Sequence, residues 1–390
     1  MNLSGIAYLP LHDGPVPRWL FNRMVRLGGS IIKIIIDEYG TKEFIDRLSN
    51  PFWFQAFGCV LGFDWHSSGL TTVLTAVLDK VLPTIDCGVY IVGGKGKKGF
   101  NTPIEVMKYS DLIGDNKAFQ LSKYSKLSAG IDTLLLQDGY MLYHHAIVFD
   151  EDGNWVVIQQ GMNPNILYAR RYHISSRLLN ENNTLLENVH SGFYSLKTDK
   201  VVLDLTAYQS RGNKLAIIDI FNSKNFKKLY DDVIRLIRDD TLLHWIDKNQ
   251  VSTSLRGLRE LDRSKVLLMP RHIDWRKVRK IYEERLTKIE ELVLNENIDP
   301  KLVRAAALIA ELIYGEPAQW RDPVRYTFTV GGKDGVPHPI SREFYDEVIK
   351  FFNGVVKEIE EDSNVKREAL KRLSRLERRI ERHQLPLGIL

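Results

Sequence analysis

MLYHHAIVFD (residues 141–150), EDGN (151–154) and WVVIQQGMN (155–163) read as one β-hairpin. Two runs rich in β-branched and aromatic residues flank four turn-forming residues, the pattern of paired strands. YARRYH (168–173) follows at once. This stretch holds far more hydrogen-bonding side chains than strand pairing needs, so a site is expected here. Strict alternation puts His145, Ile147 and Phe149 on one face and His144, Ala146 and Val148 on the other. Tyr143 then shares the face of His145, which favours His145 as the site histidine. Gln159 and Gln160 also point apart, and Gln160 is taken as the site amide.

Upstream, GVYIV (88–92) reads as a short buried strand and GGKGKKG (93–99) as a loop, with a helix from about Pro103. Glycines let successive N–H groups turn toward an anion, so Gly94, Lys95, Gly96 and Lys97 are candidate phosphate ligands. The loop fits neither GxxxxGK[ST] nor GxGxxG. Further upstream, apolar residues recur at helical spacing between Arg18 and Leu48, and a break is expected at Gly28-Gly29. A second helix is expected over residues 70–82. PFWFQAFGCVLGFDWHSSG (51–69) is a dense aromatic stretch. It is either core or a pocket for an unstacked base, with Trp53 and Trp65 as stacking candidates beside Asp64 and His66.

Downstream, residues 201–206 (VVLDLT) look like another strand, and beyond about residue 222 helical patterns take over. The expected fold is α+β. An N-terminal α/β domain (1–215) carries a small mixed sheet and the hairpin, and an α-helical domain (216–390) contains a degenerate helix-hairpin-helix. That motif is LNENIDPKLVRAAALIAELIYG (294–315). Asn297-Ile298-Asp299 stands where a glycine-rich turn usually presents its amides to phosphate, and Asp299 puts a negative charge there. Asn297, Lys301 and Arg304 are the DNA-backbone candidates. The last helix, with Leu370, Leu373, Leu376 and Ile380 in a stripe and eight Lys or Arg against three Glu over residues 364–384, suits a phosphate backbone, a second copy or a protein partner.

The chain has 390 residues, a formal charge of +5, and only Cys59 and Cys87, so neither a disulfide framework nor a cysteine zinc site is signalled. No basic leader and no run of roughly 20 apolar residues is present, which predicts a cytoplasmic protein without a membrane anchor.

For chemistry, His145 and His173 are the expected acid–base pair around a phosphodiester, with Lys97, Gln160 and Asp138 completing the site and Arg170 and Arg171 binding the anion. Alternatively Asp132 and Asp138, with a histidine, supply the ligands that Mg²⁺ or Mn²⁺ prefers. Gln159-Gln160 occupies the place where a PD-(D/E)xK nuclease would carry an acid and a lysine.

Several strings together, PRWLFNRMVRLG, FWFQAFGCVLGFDWHSSG, GGKGKKGFNTP, LQDGYMLYHHAIVFD, VIQQGMN, ARRYH and AELIYGEPAQWRDPVRYTF with GGKDG, resemble an archaeal and bacterial family of unknown function, number 763 among such domains. The helix-hairpin-helix tail of that family implies DNA processing or repair. The expectation is therefore a nuclease acting on DNA, with two alternatives: a glycosylase that removes a damaged base, or a non-catalytic nucleic-acid-binding or assembly protein.

Overall fold

The structure, a computed structural model, describes residues 16–63, 68–165, 168–182, 186–195, 201–238, 269–270 and 272–324. Trp65, Asp64, His66, the GGKDG string and the basic terminal helix lie outside the described residues.

Three helices open the fold: α1 (Arg18–Ser49), α2 (Pro51–Val60) and α3 (Gly69–Ile85). The first runs unbroken through Gly28-Gly29 and is interrupted instead at Gly40, whose φ of 85° is not helical. Gly28 is retained for contact: a Cβ there would stand 3.4 Å from both Leu61 and Val77. Asn50 ends α1 and starts α2, its side chain accepting from the Phe52 and Trp53 amides, with Pro51 at the first helical position.

Next come β1 (Val89–Lys95), α4 (Lys97–Met107), α5 (Ser110–Ile113) and α6 (Asp115–Gly130), which ends in a π-helical turn over Ile131–Leu135. The expected GGKGKKG loop is thus nearly absent. The strand takes its first three residues, Gly96 turns with φ 61°, and the helix begins at Lys97. The remaining strands are β2 (Leu136–Gln137), β3 (Met141–Asp150), β4 (Trp155–Asn163), β5 (Tyr168–Ser175), β6 (His190–Tyr194) and β7 (Leu203–Asp204), with α7 (Ser176–Asn182) between β5 and β6. VVLDLT contributes only its two central residues to β7, paired with β2.

The fold is α+β, as expected. Its main sheet runs β1-β3-β4-β5-β6, and every neighbouring pair is antiparallel rather than mixed. Connectivity accounts for the central pairings: β3 to β4 and β4 to β5 are short returns, and no crossover is long enough to turn the chain parallel there. Asp150 closes the β3–β4 turn by accepting from the Asn154 backbone and side chain, both at 2.8 Å.

Helices cover both faces. Ile91, Ala146, Val148, Val156 and Ile158 pack against α1, α2 and α3. Ile147, Phe149, Trp155, Val157 and Ile174 join a larger cluster with α6 and the downstream helices. Those are α8 (Arg211–Asn222), α9 (Phe226–Arg238), α10 (Trp275–Glu284), α11 (Ile289–Leu294) and α12 (Pro300–Tyr314). One apolar cluster therefore runs across residue 215 and binds the helical part to the sheet.

Gly93 illustrates how closely α4 is seated. Its φ is +101°, and an added Cβ would lie 2.4 Å from the His145 carbonyl oxygen and 2.5 Å from Thr102 Oγ1. Strain and overlap act together, so Gly93→Ala is expected to destabilise the fold by about 2 kcal/mol or more. The control is Gly29→Ala, whose Cβ meets nothing closer than 3.6 Å. Helix propensity makes that substitution neutral or stabilising by up to about 1 kcal/mol. Urea denaturation of the two variants checks the contrast.

Candidate functional site

The pairing register sorts the polar side chains into two rows. Gly94, His145, Gln159, Tyr172 and Phe193 lie side by side across five strands, as do Lys95, His144, Gln160, Arg171 and Tyr194. Alternation sends the first row toward α6 and the second toward α1–α3.

The expected assignment of His145 and His144 to opposite faces is what the structure has. Tyr143 does not follow the alternation. The register shifts between Leu142 and His144, a β-bulge at Tyr143, and its hydroxyl meets Gln160 on the His144 side.

On the α6 face a chain of hydrogen bonds runs from helix to sheet and back. His145 Nε2 lies 2.8 Å from Ser125 Oγ, and Nδ1 lies 2.8 Å from Gln159 Oε1. The Gln159 amide nitrogen donates to the Ser128 carbonyl at 3.0 Å and to Asp132 Oδ2 at 2.6 Å. Asp132 Oδ1 meets His190 Nε2 at 2.5 Å.

These contacts fix the protons. Both partners of the Gln159 nitrogen are acceptors, so the amide oxygen must face His145. An amide oxygen only accepts, hence Nδ1 carries the hydrogen and Nε2 presents a lone pair to the Ser125 hydroxyl. Burial pushes the His145 imidazole down to about 4, against a smaller opposing effect of the Gln159 bond, so it is neutral at pH 7. Burial also raises the Asp132 carboxyl, opposed chiefly by His190.

On the opposite face, Thr75 Oγ1 donates to the Thr71 carbonyl at 2.8 Å and so accepts from His144 Nε2 at 3.2 Å. His144 Nδ1 is left buried without a partner. Arg171 is fully buried; it donates to Gln55 Oε1 at 3.0 Å, Thr71 Oγ1 at 3.3 Å and the Pro51 carbonyl at 2.9 Å, between the Phe54 and Tyr194 rings. Burial lowers its guanidinium to about 10. His173 donates Nδ1–H to the Leu48 carbonyl at 2.9 Å and packs edge-on to Phe54.

The expected pairing of His145 with His173 is therefore corrected: the sheet stands between them. Gln160 and Arg171 belong to the His173 side and are likewise parted from His145. Trp53 is buried, stacked on Phe57 at 5.0 Å with Phe44 against its edge, and packs rather than offering a face to a base.

Asp138 accepts from the Tyr140 amide at 3.0 Å, Arg170 at 2.9 Å and the Tyr172 hydroxyl at 2.8 Å. Arg170 also reaches Asp322 at 2.7 Å. Burial works against the Arg170 charge, but Asp322 and Asp138 outweigh it and hold the guanidinium well above its ordinary value. Arg170 is thus a buried tether between β5 and the segment after α12, with its charge already met. Among the described residues no three His, Cys, Asp or Glu side chains are grouped to hold a metal ion, so Asp132, Asp138 and a histidine do not form a metal set there.

A cavity of about 910 Å³ opens at the bulged end of the sheet. Its walls include Gly96, Gly99 and Phe100 of the β1–α4 junction, Ser125 and Asp132, Asp138, Tyr143 and His145, and Asn295, Pro300 and Arg304 of the helical hairpin. Four expected site residues, Gly96, Asp138, His145 and Arg304, meet here. Lys95 lies over the Tyr143 ring at 5.9 Å, Lys97 is exposed at the start of α4, and Phe100 is 84% exposed at the rim.

The hairpin's own phosphate position is filled. Asp299 Oδ1 accepts from the Lys301 and Leu302 amides at 2.9 and 3.0 Å, and the Asn297 amide goes to Asn295 Oδ1 at 2.8 Å. Glu284, Glu291 and Glu296 line the groove beside it. The hairpin walls the cavity instead of presenting free amides, while Lys301 stays exposed.

Residues 5–340 match the family described as "Protein of unknown function (DUF763)". The chain belongs to that family. No curated protein and no solved structure matches it. Among the described residues no helix is long and apolar enough to cross a membrane.

Sequence reasoning passed over Ser125 and His190 and chose Gln160 over Gln159. Register could have found Gln159, because from His144 to Phe149 opposite residues on β3 and β4 have numbers that sum to 304. Ser125 lies on an ordinary helix and carried no signal.

His144 offers a pH test. Burial lowers its imidazole to about 3, with His145 and Lys95 adding to the effect, against about 6.5 in an unfolded chain. The depressed value means the unfolded state takes the proton first. The contribution is complete above pH 6.5 and is lost as pH falls toward 3. Relative to His144→Gln, the protein is expected to lose about 2 kcal/mol between pH 6.5 and pH 5. Denaturant melts of both proteins across that range check it, and parallel curves would contradict it.

Proposed function

We propose that the cavity is the active centre of an enzyme that processes DNA, most simply a nuclease that breaks a phosphodiester bond with His145 as its general base. The observation that supports this reading is that one cavity brings together His145, Gly96 and Gly99 at the start of α4, and Arg304 of the helical hairpin. A neutral imidazole with its Nε2 lone pair directed at a hydroxyl is unprotonated and able to accept at pH 7, while the burial that lowers it to about 4 makes it a weaker base than an ordinary imidazole. Lys95 and Lys97 near the rim, together with the first-turn amides of α4, favour an anionic substrate.

A cavity of about 910 Å³ admits one nucleotide or a strand end rather than a duplex. DNA would therefore enter as an extruded or frayed nucleotide, with Phe100 placed to stack on a neighbouring base. The same enclosure favours, as a second reading, a glycosylase that holds a base between Tyr140 and Tyr143 near the Asp138 carboxylate.

The test is incubation of the full chain with end-labelled single-stranded, duplex, branched and uracil- or hypoxanthine-containing DNA, in Mg²⁺, Mn²⁺ or chelator, with products resolved before and after alkali. Direct breaks that fall about 100- to 10,000-fold in His145→Ala are the expected result. Breaks seen only after alkali would move the assignment to the glycosylase. Salt-sensitive binding with no product would leave a non-catalytic binder.

A further inference from the structure

Ser125 is the polar group of the α6 face with the clearest chemical consequence. Its hydroxyl is 2.8 Å from His145 Nε2; both residues line the cavity, His145 at 7% exposure and Ser125 fully buried within the wall. The pinned tautomer makes this a nucleophile–base contact, the Ser125 hydroxyl donating to Nε2 rather than accepting from it, because Nε2 has no proton to give.

The base is itself oriented, through Gln159, by the Asp132 carboxylate at 2.6 Å from the Gln159 nitrogen. Nucleophile, base and orienting group then form the ordered set that covalent catalysis requires. The first turn of α4 is packed on the same wall: a Cβ on Gly99 would lie 3.3 Å from the His145 amide nitrogen and 3.4 Å from its Cβ. The N-cap of α4, Gly96, has no side chain to cap it, and Gly96 and Gly99 line the cavity, so the partial positive charge of the helix start lies beside the site.

We propose that Ser125 is a nucleophile activated by His145 and that, on the DNA-processing reading above, it takes up the phosphoryl group of the cut strand. In the first step the Ser125 Oγ–P bond forms and the bond from phosphorus to the departing deoxyribose oxygen breaks. The hydroxyl proton passes to His145 Nε2 and then to the departing oxygen. In the second step water attacks the phosphorus, gives its proton to His145, and Ser125 leaves with that proton restored. Nothing is oxidised or reduced. Gln159 and Asp132 are positioning residues, since they act only through His145.

The test exposes the full-length protein to an alkyl fluorophosphonate, which loses fluoride as the serine oxygen–phosphorus bond forms. Intact mass and peptide mapping are expected to show one adduct, on Ser125, absent from Ser125→Ala and slowed at least about 100-fold in His145→Ala. Gln159→Leu, which keeps the volume and unpins the tautomer, is expected to slow labelling without removing it. The rate should stay flat from pH 6 to 8, because His145 is already neutral there. Circular dichroism and thermal melting of each variant separate lost reactivity from lost fold.

Adducts only elsewhere, or none on folded protein, would overturn the inference. So would DNA cleavage undiminished in Ser125→Ala, an outcome that leaves the DNA reading standing. Labelling at Ser125 with no DNA product does the reverse: the nucleophile stands and the substrate assignment falls.

Discussion

The main sheet is buried on both faces, and this constraint governs the rest of the structure. Any polar side chain on β3, β4 or β5 must find its partner inside the protein, because an unpaired buried donor or acceptor costs about 1–3 kcal/mol. His145, Gln159, Arg170 and Arg171 consequently reach across to helices or to neighbouring strands. Serine and threonine on α3 and α6 answer them: Thr71 and Thr75 on one side, Ser125 on the other. The helices are held at defined positions by these bonds as well as by apolar packing.

Much of this layout was legible in the chain. The hairpin, the strand before GGKGKKG, the helical rear part and the opposed faces of His144 and His145 all follow from local periodicity and turn chemistry. What stayed hidden depends on long-range contact. The bulge at Tyr143 breaks a period of two that sequence alone reads as unbroken, and it moves that ring away from His145. His145 and His173 lie 28 positions apart, and only the strand register shows that a sheet divides them. Trp53 reads equally well as core or as stacking platform until Phe44 and Phe57 are seen around it.

The hairpin shows a local motif redirected by its surroundings. Asp299 satisfies the α12 amides with its own carboxylate, which removes the free N–H groups of an anion site and caps the helix in the usual way. Val293 of α11 sits against Gly130, where a Cβ would come within 2.5 Å, so α6 and the hairpin approach as closely as backbone allows. Gln137 adds a bond to the Pro300 carbonyl at 2.8 Å. A motif read as a DNA clamp is thereby packed beside the sheet end, and Arg304 turns from backbone contact to cavity wall.

The distribution of polarity along the sheet is the strongest reason to look for function at that end. Away from the cavity the rows are apolar, as in Val92–Ile147–Val157–Ile174 or Phe149–Trp155. Beside it the same strands carry histidine, glutamine, arginine and tyrosine. Fold stability does not ask for this gradient, since well-packed apolar residues of similar volume commonly do as well as buried charged or polar groups or better. The groups are also more than a tolerated excess: Gln159 and Asp132 are arranged so that one ring nitrogen of His145 is protonated and the other is not. Hydrogen bonding fixes the tautomers of His144 and His173 as well, but His145 is the one whose unprotonated ring nitrogen faces a side-chain hydroxyl able to give up a proton. That atom is His145 Nε2, and the hydroxyl beside it belongs to a residue in the cavity wall.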